Sequence, residues 1–384
     1  ISMIVLIKFS LKYNFFFYNN VNMKKRIIFF IILVIFFIFL IFLSKKETSE
    51  DKFHKNIHKN VDKIDDSPIV KVFFDDEKDY NFIYNNIYLN DVFKQHDMKF
   101  SKFNPTFKLI KKDILNGDCP YLNFHFYKNE NKITWNFNHY YLGGHSFLTL
   151  KYLISFQKEL NLPKSSLLYC YLIPKLIIDY YKFIKSKDFK PLPKNNDTIP
   201  YRYYEDKIFL FSETESLPKR TFVIFKVLQQ AYLSLQLDRP MRVLIPVPFK
   251  RFNMINNNVG AIFLTFDKND TLKTFSNKFE KNKYMALATN CILISNINSL
   301  FSSNESLRNK LDVIITSIYS KQEDDIVKKL NYSLYWSPIV KPTESLYISV
   351  YSRILDDKIN TNITYTVSTN QFKKSDNMKI YDLN

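Results

Sequence analysis

The chain has 384 residues, 46% of them hydrophobic, and a formal net charge of +18. Such a content excludes an intrinsically disordered chain and suffices for one large core or two smaller ones. Residues 1–66 carry 11 basic and 6 acidic side chains, which leaves 44 basic and 31 acidic, or +13, dispersed over the remainder. No basic run with interleaved aromatics marks a nucleic-acid groove, so no nucleic-acid partner is expected.

Residue 1 is Ile and the first Met with a basic cluster behind it is Met23, so residues 1–22 read as an upstream or cytosolic extension. Ile27 to Leu43 is an unbroken apolar run of 17 residues, preceded by Lys24-Lys25-Arg26 and closed by Ser44-Lys45-Lys46. That length reaches the lower edge for a membrane-spanning helix, and no small-x-small cleavage site follows it. Residues 23–46 are therefore expected to form one transmembrane signal anchor, with a cleaved signal peptide as the alternative. The basic residues on the two sides nearly balance; N-terminus inside is preferred, which puts the rest on the lumenal or extracytoplasmic side. Residues 47–66 are a polar tether. His54 and His58 stand four apart in it without a carboxylate or cysteine framework, so they are read as solvated.

The folded part opens with a strand at Ile69–Phe74, and Asp79 to Leu89 reads as helix or loop. Leu122 to Tyr127 and Lys132 to His139 alternate and are joined by Lys128-Asn129-Glu130-Asn131, which predicts an antiparallel hairpin. Leu122, Phe124 and Phe126 share one face; Ile133, Trp135 and Phe137 share a face of the partner. His139 continues the second parity and is expected to point inward, whereas His125 has the opposite parity to its neighbours. The next residues run Tyr140-Tyr141-Leu142-Gly143-Gly144, two of only four glycines in the chain, so a tight turn is expected. Ser146 then caps a helix to Leu160 that Pro163 limits, with His145 at its start. An imidazole held at a strand end beside such a turn suits a general base, although an inward histidine is also an ordinary core residue.

Leu167 to Lys185, interrupted at Pro174, predicts a pair of helices packed on the sheet, with a membrane-touching surface as the other reading. Pro191, Pro193 and Pro200 with Asn195-Asn196-Asp197 give a linker over 191–202. Thr221 to Leu237 spaces Phe222, Phe225, Leu228, Tyr232 and Leu235 as a core helix, ended by Asp238-Arg239-Pro240. Strands follow at Arg242–Lys250, Leu311–Ser317, Leu346–Ser352 and Ile363–Val367. Cys119, Cys170 and Cys291 are odd in number and far apart, with neither metal spacing nor a disulfide framework, so buried thiols are expected.

Asn138-His139-x-x-x-Gly143-Gly144 resembles the His-His-x-x-x-Asp-Gly motif of the chloramphenicol acetyltransferase-like superfamily, which includes nonribosomal condensation domains, BAHD acyltransferases and wax ester synthase/diacylglycerol acyltransferases. Asn138 stands for the first His, His139 matches the second, Gly143 stands for Asp and Gly144 matches Gly. Pro246-Val247-Pro248-Phe249-Lys250 followed by Asn256-Asn257-Asn258-Val259-Gly260 resembles the wax ester synthase pattern Pro-Val-Ser-Leu-Arg and Gly-Asn-x-x-Gly. Leu311–Ser317 is similar to its Asp-Val-Val-Val-Ser-Asn strand, and Leu346–Ser352 to the strand ending Ser-Tyr.

The resemblance implies an α/β (α+β) fold of two acyltransferase-like subdomains, 67–190 and 203–384, with mixed sheets meeting at a central tunnel. It implies a membrane-anchored acyltransferase that moves an acyl group from acyl-CoA or an acyl-carrier thioester to a hydroxyl of a lipid-like acceptor. His139 is then the general base, Asn138, Gly143 and Gly144 form the motif turn, and Ser352 and Asn257 are candidates for oxyanion or substrate contact. Neither a bound cofactor nor a metal is implied, and the oligomeric state is left open. Because Gly143 cannot supply the turn-fixing carboxylate, a catalytically inactive, membrane-tethered binding or structural protein is the alternative.

Overall fold

The computed structural model describes residues 68–85, 122–137, 167–185, 190, 192–193, 200–214, 217–249, 259–294, 310–320, 329–338 and 344–381. All of them belong to one compact unit, Ser49–Asn384. The expected anchor at 23–46, the helix from Ser146 and the proposed motif turn lie outside the described residues. Among those described, no helix is long and apolar enough to cross a membrane.

Strand β1 (Pro68–Phe74) is followed by helix α1 (Glu77–Tyr84), whose first turn is capped by the Asp76 carboxylate accepting from the Asp79 N–H. Strands β2 (Leu122–Tyr127) and β3 (Lys132–Phe137) form the expected hairpin. Its connection is a 3₁₀ turn, Lys128–Glu130, closed by Asn131 in the left-handed region at φ 46°. A second 3₁₀ helix, Leu167–Leu172, leads into α2 (Ile173–Lys185). Pro174 sits in the first turn of α2, where its missing N–H breaks no bond, so the interruption falls one residue earlier than expected.

The chain continues through β4 (Tyr201–Leu210), α3 (Lys219–Leu235), β5 (Met241–Pro248), β6 (Val259–Phe266), α4 (Leu272–Ile294) and β7 (Val313–Ser320). It ends with β8 (Tyr332–Pro338), β9 (Leu346–Leu355), β10 (Lys358–Val367) and the two-residue β11 (Lys379–Ile380). Tyr201 and Arg202, read from sequence as the end of the linker, are the first residues of β4. Ten residues of backbone pairing with β10 outweigh the coil preference of the preceding prolines.

The fold is mixed α/β with two sheets. The larger has the order β11-β4-β10-β9-β7-β5-β6, in which β7 runs parallel to β5 and β9 and the other pairs are antiparallel. One face carries Val313 and Ile315 from β7, Leu346, Ile348 and Val350 from β9, and Ile363 and Tyr365 from β10. Helix α3 buries Phe222, Val223, Phe225, Leu228, Ala231 and Leu235 in the same core. α3 ends at Gln236, in the left-handed region at φ 50°, before the Asp-Arg-Pro stop signal is reached.

The smaller sheet has the order β2-β3-β1-β8, and β8 comes from beyond the 191–202 linker. β8 is thus an edge strand, and side chains from the larger sheet cover its open edge. The Arg353 guanidinium donates to the Leu330 and Tyr332 carbonyls at 3.0 and 3.3 Å, and Arg202 donates to the Pro338 carbonyl at 3.1 Å. Between them the Leu334 N–H donates to the Asn362 side-chain oxygen at 3.1 Å. The two sheets are joined by these strand-edge contacts.

One sequence expectation, that the cysteines are unpaired thiols, is corrected here. Cys170 and Cys291 form a disulfide, with Cα atoms 5.6 Å apart and a sequence separation of 121. The pairing is invisible to spacing because packing of the Leu167–Leu172 helix on α4 creates it. Reduction, or Cys170→Ser with Cys291→Ser, is expected to lower stability by about 2–4 kcal/mol. The check is the denaturant midpoint with and without reductant, where an unchanged midpoint would count against a structural bond.

Gly260, the last residue of the run that resembles Gly-Asn-x-x-Gly, lies inside β6. A Cβ there would come within 2.0 Å of the Ala286 carbonyl oxygen, so the residue is small because α4 crosses the strand at backbone contact. Gly260→Ala is expected to destabilise by about 1–3 kcal/mol through overpacking, measured as a drop in Tm.

Candidate functional site

The register of β3 is set from both sides. Trp135 and Ile133 pair with Val70 and Val72 of β1, and Phe124 and Phe126 of β2 face the same two residues. Trp135 and Ile133 are buried, as the alternation predicts, yet Lys132 and Thr134 on the other parity are buried too. Both faces of β3 are therefore covered, and parity alone does not single out one inner face. The Lys132 ammonium tolerates this because Glu130 accepts from it at 2.5 Å and the Tyr127 ring lies 4.1 Å away.

β3 is described as far as Phe137, and near that residue Asn136 is paired with Ile69 and Ile69 with Ser337. Asn138, His139, Gly143, Gly144 and Asn257 lie outside the described residues, as do His54, His58 and His145. His125 is in β2, paired with Thr134. Near this end Arg202, buried, donates from Nε to the Ser337 hydroxyl at 3.1 Å, and Ser337 shares a 2.7 Å hydrogen bond with Thr366. Burial draws the Arg202 pKa below its usual range. The Tyr381 hydroxyl donates to the Ile69 carbonyl at 3.3 Å, closing the corner.

Ser352 is found elsewhere. It is fully buried on β9, its hydroxyl 3.2 Å from that of Thr361. Its neighbour Tyr351 bonds Tyr332, at the end of β8 opposite to Ser337. Five residues of strand, about 17 Å, separate Tyr332 from Ser337. Described geometry thus associates Ser352 with Thr361 and, across the parallel pair, with Tyr319.

A groove of about 190 Å³ opens where the sheets meet, lined among others by Asp75, Asp206, Asn331, Arg353, Thr361 and Asn362. Asp206 accepts from the Tyr335 hydroxyl at 2.5 Å and from the Asn362 amide at 2.6 Å. Burial, then the Asp206 carboxylate, pushes the Tyr335 phenol far above its usual range, so it acts as a neutral donor. The Arg353 guanidinium stacks 3.8 Å over the Tyr332 ring. These groups tie β4, β8, β9 and β10 together and leave polar atoms at the groove mouth, an arrangement for hydrogen bonding more than for proton transfer. Among the described residues no cluster of three or more His, Cys, Asp or Glu is gathered to hold a metal.

One residue of the resembled motifs proves to be a structural centre. Asp312, immediately before β7 and wholly buried, accepts two 2.8 Å bonds from the Arg239 fork and one of 2.8 Å from the Arg242 N–H. Its own N–H donates to the Arg242 carbonyl and its carbonyl accepts from the Leu346 N–H, both at 3.0 Å. The carboxylate therefore joins the starts of β5, β7 and β9. The hydrogen bonds to Asp312 hold the Arg239 pKa above its usual value. Sequence alone marked Asp312 by its motif and left Arg239 as a helix stop; a charge pair 73 residues apart has no local signal.

No known family matches this chain by sequence, and no curated protein does. Solved structures of similar shape are condensation and epimerization domains. A variant of the starter condensation domain of rhizomide synthetase RzmA, in complex with C8-CoA and Leu-SNAC, is 8% identical at a TM-score of 0.45, over 84% of this chain and 89% of that one. The epimerization domain from the third module of tyrocidine synthetase B is 12% identical at a TM-score of 0.42, over 79% and 86%. The unmutated RzmA starter condensation domain is 8% identical at 0.39, over 86% and 91%.

Proposed function

We propose that the chain is an acyltransferase in which His139 is the general base. The observation that carries this reading is the register of β3, paired residue by residue to Phe137 and leading directly into Asn138-His139-x-x-x-Gly143-Gly144. A strand anchored on both sides is a rigid support for an imidazole two residues beyond its end. His139 takes the proton from an acceptor hydroxyl as that oxygen attacks the thioester carbonyl of an acyl-CoA or acyl-carrier donor. The C–S bond then breaks, and the proton passes from the imidazolium to the departing thiolate.

The apolar run 27–43 supports tethering to a membrane, and tethering favours a lipid-like alcohol as acceptor. The Cys170–Cys291 disulfide supports an oxidising, extracytoplasmic location for the folded part. Gly143, where the resembled motif has Asp, favours a second reading: a membrane-tethered binding protein that keeps the scaffold without the chemistry. Acyl transfer by the purified full chain from a panel of acyl-CoA donors to lipid alcohols decides between them. Transfer with any donor supports the enzyme, and none with every donor overturns it.

A further inference from the structure

Helix α2 is apolar on two sides. Ile173 and Leu176 are buried, and the Tyr180 and Phe183 rings pack on Phe263 of β6 with centroids 5.7 and 5.9 Å away. At about 100° per residue these four positions share one arc of the helix, the arc that faces the core. Pro174, Ile177, Ile178 and Tyr181 fill a second arc of about 100° beside it. There Ile177, Ile178 and Tyr181 are 42, 55 and 59% exposed. They are three of the eight large hydrophobic side chains exposed among the described residues, gathered within two turns of one helix. The other five are spread over β4, α3 and β11, as isolated surface hydrophobics commonly are.

The exposed stripe is held firmly in place. α2 continues directly from the 3₁₀ helix that carries Cys170, and the Cys170–Cys291 disulfide fastens that helix to α4. Within α2, Asp179 accepts from the Lys175 ammonium at 2.5 Å and from the Tyr284 hydroxyl of α4.

Charge selects what covers it. α2 holds Lys175, Lys182 and Lys185 against one carboxylate, Asp179, which is already engaged. Lys182 and Lys175 follow at the outer border of the apolar stripe, so a second copy docked α2 on α2 would set lysine against lysine with no acid to answer. A phospholipid surface answers both features. Isoleucine and tyrosine side chains suit the boundary between headgroups and acyl chains, and lysine stems reach from there to the phosphates. Chain length agrees with this occupant. Residues 44–67 separate the apolar run 27–43 from β1, and such a segment reaches at most about 80 Å, which keeps a tethered protein at high local concentration beside its bilayer.

We propose that α2 lies in the surface of a phospholipid membrane, with Ile177, Ile178 and Tyr181 in the headgroup–acyl boundary and Lys175 and Lys182 at the phosphates. The choice of a bilayer as occupant rests on the tethering reading of residues 27–43. This second contact turns one defined side of the folded part to the membrane, and it is independent of His139.

The test places an environment-sensitive fluorophore on Ile178→Cys in the full chain, with Cys119→Ser so that one thiol takes the label, and reconstitutes it in phosphatidylcholine vesicles with and without phosphatidylglycerol. The emission is expected to move to the blue, and nitroxide-labelled acyl chains are expected to quench it by about half, more with phosphatidylglycerol than without. Adding Lys182→Glu is expected to weaken the quenching. Water-like emission without quenching, in a chain that floats with the vesicles, would overturn the contact. A blue shift that nitroxide lipid leaves unquenched and that grows with protein-to-lipid ratio would overturn it in favour of a second copy. Alkaline carbonate separates this result from the tether. Extraction of a chain whose label is quenched sinks the tether and leaves the α2 contact, resistance with an unquenched label does the reverse, and a chain that never floats loses both.

Discussion

Asp312→Ala is expected to destabilise the protein by about 3–5 kcal/mol, the range for removing one partner of a buried ion pair. The loss has two parts. Arg239 would keep its charge with the carboxylate gone, and the Arg242 N–H would lose its acceptor at the point where β5, β7 and β9 begin. Urea denaturation checks this through a lower midpoint at unchanged slope. The double variant Arg239→Leu/Asp312→Leu should lose less than the sum of the single changes, because it leaves no uncompensated charge. Strict additivity would show that the pair is not coupled.

His139→Ala is expected to lower acyl transfer by about 10²–10⁴-fold, the usual contribution of a positioned general base. KM for the acyl donor should change little, since the imidazole acts on the acceptor proton. The Tm, measured beside the rates, separates loss of the base from loss of the fold. Steady-state rates with and without the substitution, under saturating donor, make the comparison. Equal rates would remove His139 from the mechanism and leave the scaffold reading in place.

Local pattern reached far into the fold. Alternation found the β2–β3 hairpin, with its turn at Lys128–Asn131, because a strand buried on at least one face repeats its apolar residues every second position. Helical spacing of Phe222, Phe225, Leu228 and Leu235 found α3, whose core side is apolar along its whole length. Boundaries were less legible. Tyr201 and Arg202 join a strand because β10 pairs with them, and nothing within 191–202 reports that partner.

The candidate site divided along the same line. His139 was chosen because a motif and a predicted strand end coincide in sequence, and it lies outside the described residues. Ser352 was a candidate for oxyanion or substrate contact from its motif, and its burial with the hydroxyl against Thr361, beside Tyr319, is what the fold adds. Arg220 carries no signal in the sequence; its contact is the Ser317 carbonyl, 97 residues away.

By itself, then, the sequence determined the β2–β3 hairpin, its register and the core helix α3, all of which follow from periodicity and neighbours a few residues apart. Tertiary structure alone decided that Cys170 meets Cys291, that Gly260 must be small under α4, that Asp312 answers Arg239 and that Arg220 reaches the Ser317 carbonyl. Each of these depends on two segments dozens of residues apart being brought within a few ångströms. Only packing of the helices on the two sheets creates such distances, and no local pattern encodes them.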